Sequence, residues 1–184
     1  MYDLNCKDHI TKYGSAHLFV EKRTIKKCKE FLGQIKITCY EQILHKYLQE
    51  KHKPIKKRKL ITFVSDKFWN YRTAFNILFY HTAKLVFGIP IKAKRGGLKH
   101  NNNAIERYNG KLKDRLKTMR RGFKSFEGAE SFLNLYHITN NFVNPHEGLK
   151  GKTPAEAADI YLPLKRNKLL NLIKYVRRCY ITKR

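Results

Sequence analysis

Acidic residues are scarce in this chain of 184 residues, where 14 Asp and Glu side chains stand against 40 Lys and Arg. A formal charge of +26 imposes strong self-repulsion unless a polyanion covers the surface, and nucleic acid is the obvious polyanion. The charge is not confined to one tail, because basic residues recur in the segments 51–59, 92–99, 111–121 and 165–184. A folded body that follows a phosphate backbone has this pattern, but a ribosomal or architectural protein has it too.

Cysteine motifs and long apolar runs are also missing. The four cysteines form no C-x-x-C pair and have no histidine at zinc-finger spacing, so neither structural zinc nor a disulfide framework is indicated. They are expected to be reduced packing residues. The longest apolar runs, at residues 60–64 and 85–90, are too short to cross a bilayer, and the N-terminus does not resemble a signal peptide. We therefore expect a cytoplasmic protein with no membrane partner.

Apolar material is sufficient for one hydrophobic core, since 42% of the residues are hydrophobic and 12% are aromatic. A strand is predicted at residues 16–20, followed by a helix that Arg23-Thr24 opens and by a second helix with an apolar face over residues 40–48. A basic linker at residues 51–59 then precedes a β-branched and aromatic run at 60–64. This run predicts a buried strand, and it delivers Asp66 at its carboxyl end.

The second half of the chain predicts α/β alternation and then mainly helices. A helix precedes a strand at residues 85–91, Gly96-Gly97 forms a turn, and a long helix runs from Asn102 to Gly122. Further helices are predicted at residues 126–141, 154–160 and 167–178, the last one basic and amphipathic. The inward residues expected before residue 85 are Phe68, Tyr71, Phe75, Leu78 and Phe79, and those expected in the helix at 126–141 are Phe132, Leu133, Leu135, Tyr136 and Ile138.

Two carboxylates have the placement that phosphodiester chemistry requires. Such chemistry uses two divalent cations, and magnesium or manganese prefers oxygen ligands from a few aspartates and glutamates on a rigid scaffold. Asp66 lies at the tip of a predicted strand, where catalytic groups collect in open α/β sheets. Glu106 lies one turn into a predicted helix, opposite its apolar stripe. Alternatively, Asp66 caps the next helix and Glu106 forms a surface ion pair with Arg107.

The helix of Glu106 also predicts a cationic track. Lys113 stands two turns beyond Glu106 on the same face, and Lys117 and Arg120 follow it. One helix would then offer a metal ligand followed by contacts to a DNA end.

Three ordered motifs resemble prokaryotic insertion-sequence transposases of the DDE type, which are relatives of retroviral integrases. The first motif is similar to the family's second-aspartate segment, the second to its glutamate helix and the third to its characteristic ending. The motifs are Val64-Ser65-Asp66-Lys67; Asn101-Asn102-Asn103-Ala104-Ile105-Glu106-Arg107 with Met119-Arg120-Arg121-Gly122-Phe123; and Asn144-Pro145-His146-Glu147-Gly148-Leu149 with Thr153-Pro154-Ala155.

The resemblance implies a ribonuclease-H-like α/β fold with a mixed sheet, flanking helices and a helical C-terminus. It implies metal-dependent DNA cleavage and strand transfer with Mg²⁺ or Mn²⁺, transposon ends and target DNA as partners, and a homo-oligomer. Asp66 and Glu106 become metal-binding catalytic residues. The implied DNA contacts are Lys113, Arg107, Asn102 and Asn103, and the cationic track of the helix adds Lys117 and Arg120.

The resemblance is incomplete at the N-terminal side. The segment with Asp8, Thr11 and Arg23-Thr24 is similar to the second strand of the family's core, so the first catalytic aspartate and the first strand are expected upstream of Met1. The chain is therefore interpreted as a truncated catalytic core at residues 1–160 with a basic helical tail at 161–184. Impaired activity is expected, and a non-enzymatic DNA-binding remnant is the alternative function.

Overall fold

The computed structural model describes residues 1–88, 103–117 and 122–181, and it shows an α/β protein. Contacts divide the chain into two compact units. The first comprises Met1–Lys7 and Ser15–Arg120, and the second comprises Asp8–Gly14 and Arg121–Arg184. The strands are β1 Tyr2–Lys7, β2 Gly14–Val20, β3 Thr62–Ser65 and β4 Lys84–Phe87; the helices are α1 Ile25–Glu50, α2 Trp69–Phe79, α3 Asn103–Lys117, α4 Phe126–Phe142, α5 Pro154–Ala157 and α6 Lys168–Ile181. The predicted boundary at residue 160 does not follow from these units and stays a prediction.

The described strands form two separate sheets rather than the single mixed sheet that was predicted. β1 pairs with β2, and β3 pairs with β4 in parallel, with Phe63 opposite Leu85. The prediction that the first strand of the second pair is buried is wrong, because every residue of β3 is half-buried. In the described part of the chain β3 has one strand neighbour, so the sheet covers it on one edge only.

A single helix, α1, replaces the two helices predicted between residues 25 and 48. It begins at an N-cap formed by Thr24, whose side chain accepts a hydrogen bond from the backbone N–H of Lys27. Two helices were predicted because the apolar spacing stops at residue 35 and resumes at residue 40; between them, Ile37 is 88% exposed. In the same stretch, Nζ of Lys36 donates a hydrogen bond of 2.9 Å to the carbonyl oxygen of Leu78.

The core of the first unit joins both sheets to α1 and α2. Phe79 is fully buried, and its ring centroid lies 5.3 Å from that of Phe63 and 5.0 Å from that of Phe75. Leu4 of β1 and Val20 of β2 belong to the same cluster. The predicted inward face of α2 is confirmed. The predicted strand at 85–91 is confirmed as β4 up to residue 87, whereas its last residues and the Gly96-Gly97 turn lie outside the described residues.

The second unit is built on α4, which the sequence located correctly. Its buried face differs from the prediction: Leu133 is buried, but Leu135 is 57% exposed and Ile138 is 43% exposed. The polar residue Asn141 is buried instead, because its side-chain amide exchanges two hydrogen bonds of 2.9 Å with the backbone of Gly14. These bonds fix the loop at residues 8–14 on α4.

The C-terminal helices are confirmed. α5 begins with a capping box between Thr153 and Glu156, and Glu156 also accepts a hydrogen bond of 2.6 Å from Lys168 of α6. Hydrogen bonds to Lys168 and Thr153 lower the pKa of Glu156. α6 buries Leu172 and leaves other apolar side chains exposed.

The cysteines match the prediction in part. Cys28 is buried, and Cys6 and Cys39 pack against the same core, whereas Cys179 is exposed and is not a packing residue. No described helix has both the length and the apolar character that crossing a bilayer would need.

Candidate active site

Asp66 follows β3 directly, and its carboxylate is reachable from solvent with 58% of the side chain exposed. Its Oδ2 accepts a hydrogen bond of 3.3 Å from Nη1 of Arg23. The residue does not cap the next helix, because the N-cap of α2 is Phe68 and no side chain provides the cap. The helix-cap alternative for Asp66 is therefore wrong.

Arg23, which was not assigned to the site from the sequence, contacts Asp66. Its guanidinium lies 4.7 Å from the ring centroid of Tyr2 and 4.2 Å from that of Phe68. The side chain of Asn70 donates a hydrogen bond of 2.8 Å to its carbonyl oxygen. Two aromatic faces therefore hold this cation in place beside the carboxylate. Only its position before the Thr24 N-cap could have drawn attention to it.

Two other ionisable side chains near Asp66, Tyr71 and Cys28, are not candidates for a nucleophile or a base. Burial raises the pKa of the Tyr71 phenol, and the nearby Cys28 and Asp66 raise it further. Burial also raises the pKa of the Cys28 thiol, although Arg23 opposes that shift. Both groups stay protonated at neutral pH, so neither supplies a nucleophile or a base there.

Glu106 lies in the first turn of α3 and is exposed. Among the described residues it forms no ion pair, so the alternative of a surface pair with Arg107 is not observed. An acidic residue in the first turn is also stabilised by the helix dipole. Its carboxylate is therefore available to a ligand.

The predicted cationic track lies on the exposed surface of α3. Lys113 and Lys117 are exposed, as is Arg107, and Lys117 makes one ion pair of 3.3 Å with Asp114. Asn103 is the first residue of α3, although its side chain is not among the described ones. Asn102 and Arg120 lie outside the described residues.

β1 contacts α3 at one end and Arg23 at the other. Tyr108 of α3 is buried, and Nζ of Lys7 lies 3.9 Å from its ring centroid. The side chain of Asn5 donates a hydrogen bond of 3.3 Å to that of Asn109. The same strand carries Tyr2, which contacts Arg23 beside Asp66. β1 thus contacts α3, which carries Glu106, and it contacts Arg23, the partner of Asp66, within one unit.

The exposed donors fit a hard divalent cation in their chemistry. Carboxylate oxygens are the ligands that magnesium and manganese prefer, and both side chains are exposed. Asp66 already balances a positive charge supplied by Arg23. A metal ion bound there would replace Arg23 as the positive charge that Asp66 neutralises.

Comparison with protein families matches the chain to the integrase core domain over residues 87–154. The matched region contains Glu106 and Lys113 and ends beyond α4, whereas Asp66 precedes it. Neither the curated proteins nor the solved structures gave a match. Over these residues the chain is therefore similar to an integrase-type catalytic core, a likeness that implies a ribonuclease-H-like fold and polynucleotidyl transfer on DNA with divalent metal ions.

Proposed function

We propose that the chain is a DDE-type transposase core that cleaves and joins DNA with two Mg²⁺ or Mn²⁺ ions held by Asp66 and Glu106. The observation that carries the proposal is the carboxylate of Asp66, which directly follows β3 and has 58% of its side chain exposed. Glu106 supports it, because its exposed carboxylate lies in the first turn of a helix inside the integrase-like region. Metal ions would activate the attacking oxygen and stabilise the leaving one.

The chain's own residues would bind and orient the DNA. Lys113 and Lys117 present ammonium groups on the face of α3 that also carries Glu106, and Arg107 adds a guanidinium. Contacts of this kind neutralise phosphates and place the scissile bond, without reading sequence. The proposal assigns the same role to Asn102 and Asn103 on the resemblance alone, and to Arg120 from its position on the predicted helix.

Two carboxylates are fewer than the three that the resemblance implies for a two-metal site. Asp3 is a poor third ligand, because its Oδ2 accepts a hydrogen bond of 3.0 Å from Asn5 and its Oδ1 lies 3.7 Å from Nδ1 of His17. We therefore expect strand transfer by the chain alone to be slow or absent. A homo-oligomer, also implied by the resemblance, remains part of the proposal.

A non-enzymatic DNA-binding protein is the second candidate. The ion pair between Arg23 and Asp66 favours it, since an arginine that neutralises a ligand carboxylate also makes a stable surface without metal. In that case Glu106→Gln changes nothing beyond the charge.

The test is Mn²⁺-dependent cleavage of a labelled DNA duplex by the full chain at fixed salt. Any cleavage should disappear in Asp66→Asn and in Glu106→Gln and persist in the control Asp114→Asn, which removes an exposed carboxylate from the same helix as Glu106. Cleavage that survives in both site variants would contradict the assignment. DNA binding with no cleavage in any variant fits an incomplete metal site as well as the second candidate, and metal binding then separates them, because Glu106→Gln should weaken it only under the first.

A further inference from the structure

Glu50, the last residue of α1, is a buried carboxylate inside the most basic part of the first unit. It is 5% exposed, in a chain with few acidic residues. Its Oε1 lies 2.8 Å from Nζ of Lys53 and 3.8 Å from Nζ of Lys46. Its Oε2 accepts a hydrogen bond of 2.9 Å from the backbone N–H of Lys59. A single carboxylate therefore joins the end of α1 to both ends of the basic loop, residues 51–59.

A second residue completes the order of the basic loop. Arg58 donates hydrogen bonds to two carbonyl oxygens, from Nε to that of Lys53 at 2.9 Å and from Nη2 to that of Lys51 at 2.8 Å. These bonds place a positive charge at the carboxyl end of α1, where the helix dipole is favourable to cations. Between them, Ile55–Lys57 form a turn of 3₁₀ helix. The loop thus has a defined backbone despite its charge.

The order of the basic loop presents cations to solvent. Lys51, His52, Lys56 and Lys57 are exposed, and no described acidic residue pairs with Lys56 or Lys57. Ordering a loop whose side chains carry like charges is unfavourable in itself, because it costs conformational entropy and increases the repulsion between those side chains. An anionic partner that contacts several of these groups at once would recover that free energy.

An open groove of about 550 Å³ adjoins the basic loop. It runs between the second half of α1 and the start of β3, and Lys46 and Lys59 line it together with His45. Glu41 is the acidic member of the lining, and Leu60 and Ile61 form an apolar part. Lys46 and Lys59 also contact Glu50, so the carboxylate organises the groove and the loop together.

We infer that the basic loop and the groove beside it form a preorganised binding surface for the phosphate backbone of DNA, separate from the α3 track. Lys59 and Asp66 are joined by the short segment that contains β3, so they lie within about 25 Å of each other, a span of about seven base pairs of B-form DNA. A duplex held at Asp66 can therefore reach the loop. The inference rests on the proposed function for its choice of polyanion.

Glu50→Ala separates preorganisation from simple charge attraction, because the two predict opposite signs. Removing a carboxylate makes the chain more positive, so charge attraction alone predicts tighter DNA binding. If Glu50 orders the phosphate-binding groups, binding should instead weaken, by about eightfold for each phosphate that is no longer neutralised near 0.1 M salt. The control is Glu30→Ala, which removes an exposed carboxylate from α1 and should tighten binding slightly. Affinity is measured on a labelled duplex in chelator without metal, after confirming the fold of each variant by circular dichroism.

A double variant covers the case in which Glu50→Ala fails to fold. Lys56→Gln with Lys57→Gln changes only exposed side chains, and it should reduce the slope of log K against log salt by about 0.9 for each phosphate that these lysines neutralise. The matched control is Lys150→Gln with Lys152→Gln, two exposed lysines of the second unit. This control should reduce DNA affinity and the salt slope less than the first double variant does, or not at all. Equal effects of the two double variants, or tighter binding by Glu50→Ala, would overturn the inference while leaving the metal-site proposal intact. A wild-type chain that does not bind DNA at all would overturn both.

Discussion

The two ends of α1 each hold an acid–base interaction, and the two differ in what surrounds the carboxylate. Before the first turn, Arg23 contacts Asp66, whose side chain is 58% exposed and has this one cationic partner among the described residues. At the last turn, Glu50 is 5% exposed and bonds to Lys53 and Lys59. A carboxylate whose two oxygens already accept hydrogen bonds from the protein stabilises the fold, whereas an exposed carboxylate can also bind a ligand.

This difference matters because burial alone would have ranked Glu50 above Asp66 as a candidate for a functional site. Buried ionisable groups often mark functional sites, but structural ion-pair networks are buried as well. Glu50 belongs to the second kind by its contacts, since each oxygen is satisfied by the loop that it orders. Asp66 has an exposed carboxylate with one cationic neighbour among the described residues, so its oxygens can be reached by a metal ion.

The largest effect on stability should come from truncating a side chain in the hydrophobic core against which α1 packs. Phe79 is fully buried between Phe63 and Phe75, so Phe79→Ala should cost about 3–5 kcal/mol of unfolding free energy. Urea unfolding monitored by circular dichroism measures it. Tyr80→Ala, at the adjacent position with 69% exposure, should stay within about 0.5 kcal/mol. Similar losses in the two variants would contradict the packing described for α2.

A smaller effect on stability, at the carboxyl end of α1, should depend on pH. The hydrogen bond from Lys53, then that from the backbone of Lys59, lowers the pKa of Glu50 in the folded chain. Its stabilising contribution is therefore complete above the unfolded-state pKa and is lost as the pH falls through the folded-state pKa. The difference in melting temperature between wild type and Glu50→Ala should shrink between pH 6 and pH 3, with about 4.3 as the reference pKa of a glutamate. A difference that stays constant over this range would show that the carboxylate charge does not hold the loop.

The smallest change in stability should come from Arg23→Gln, because exposed ion pairs contribute about 0–1 kcal/mol. Its effect on metal affinity should be clearer. Two unit charges about 4 Å apart interact by about 1 kcal/mol in water, so removing one positive charge beside a divalent ion is worth about 2 kcal/mol, and Mn²⁺ should bind about thirtyfold more tightly. Lys27→Gln, which breaks the exposed pair with Glu30, is the control and should leave Mn²⁺ affinity unchanged. Weaker Mn²⁺ binding by Arg23→Gln would mean that the arginine positions Asp66 for the metal and does not compete with it.

Local periodicity was sufficient to predict most of the elements. β2, α2 and α4 have apolar spacings that fit one structure only, and the caps at Thr24 and Thr153 use side chains that commonly begin helices. The continuity of α1 was not visible, because the apolar spacing is interrupted between residues 35 and 40, where Lys36 bonds to the carbonyl of Leu78 far along the chain.

The positions of the two candidate carboxylates, after a strand and in the first turn of a helix, were predictable from the sequence, whereas their partners were not. Asp66 and Glu106 were found from strand and helix positions, which are local properties. Arg23 lies 43 residues from Asp66 in sequence, and nothing in its neighbourhood indicates the contact. The role of Glu50 was equally hidden, since the sequence shows only a loop of like charges, and the order comes from one carboxylate and the hydrogen bonds of Arg58.

Calorimetric titration of the full chain with Mn²⁺ tests the central claim most directly, with Asp66→Asn, Glu106→Gln and the control Asp114→Asn measured in the same buffer. Even the hydrogen-bonding partners of metal ligands are worth roughly tenfold in affinity, so losing a ligand should weaken binding by that much or more in both site variants, while the control binds as wild type does. Equal binding by all four proteins, or no binding by the wild type, would contradict the assignment of Asp66 and Glu106 as metal ligands.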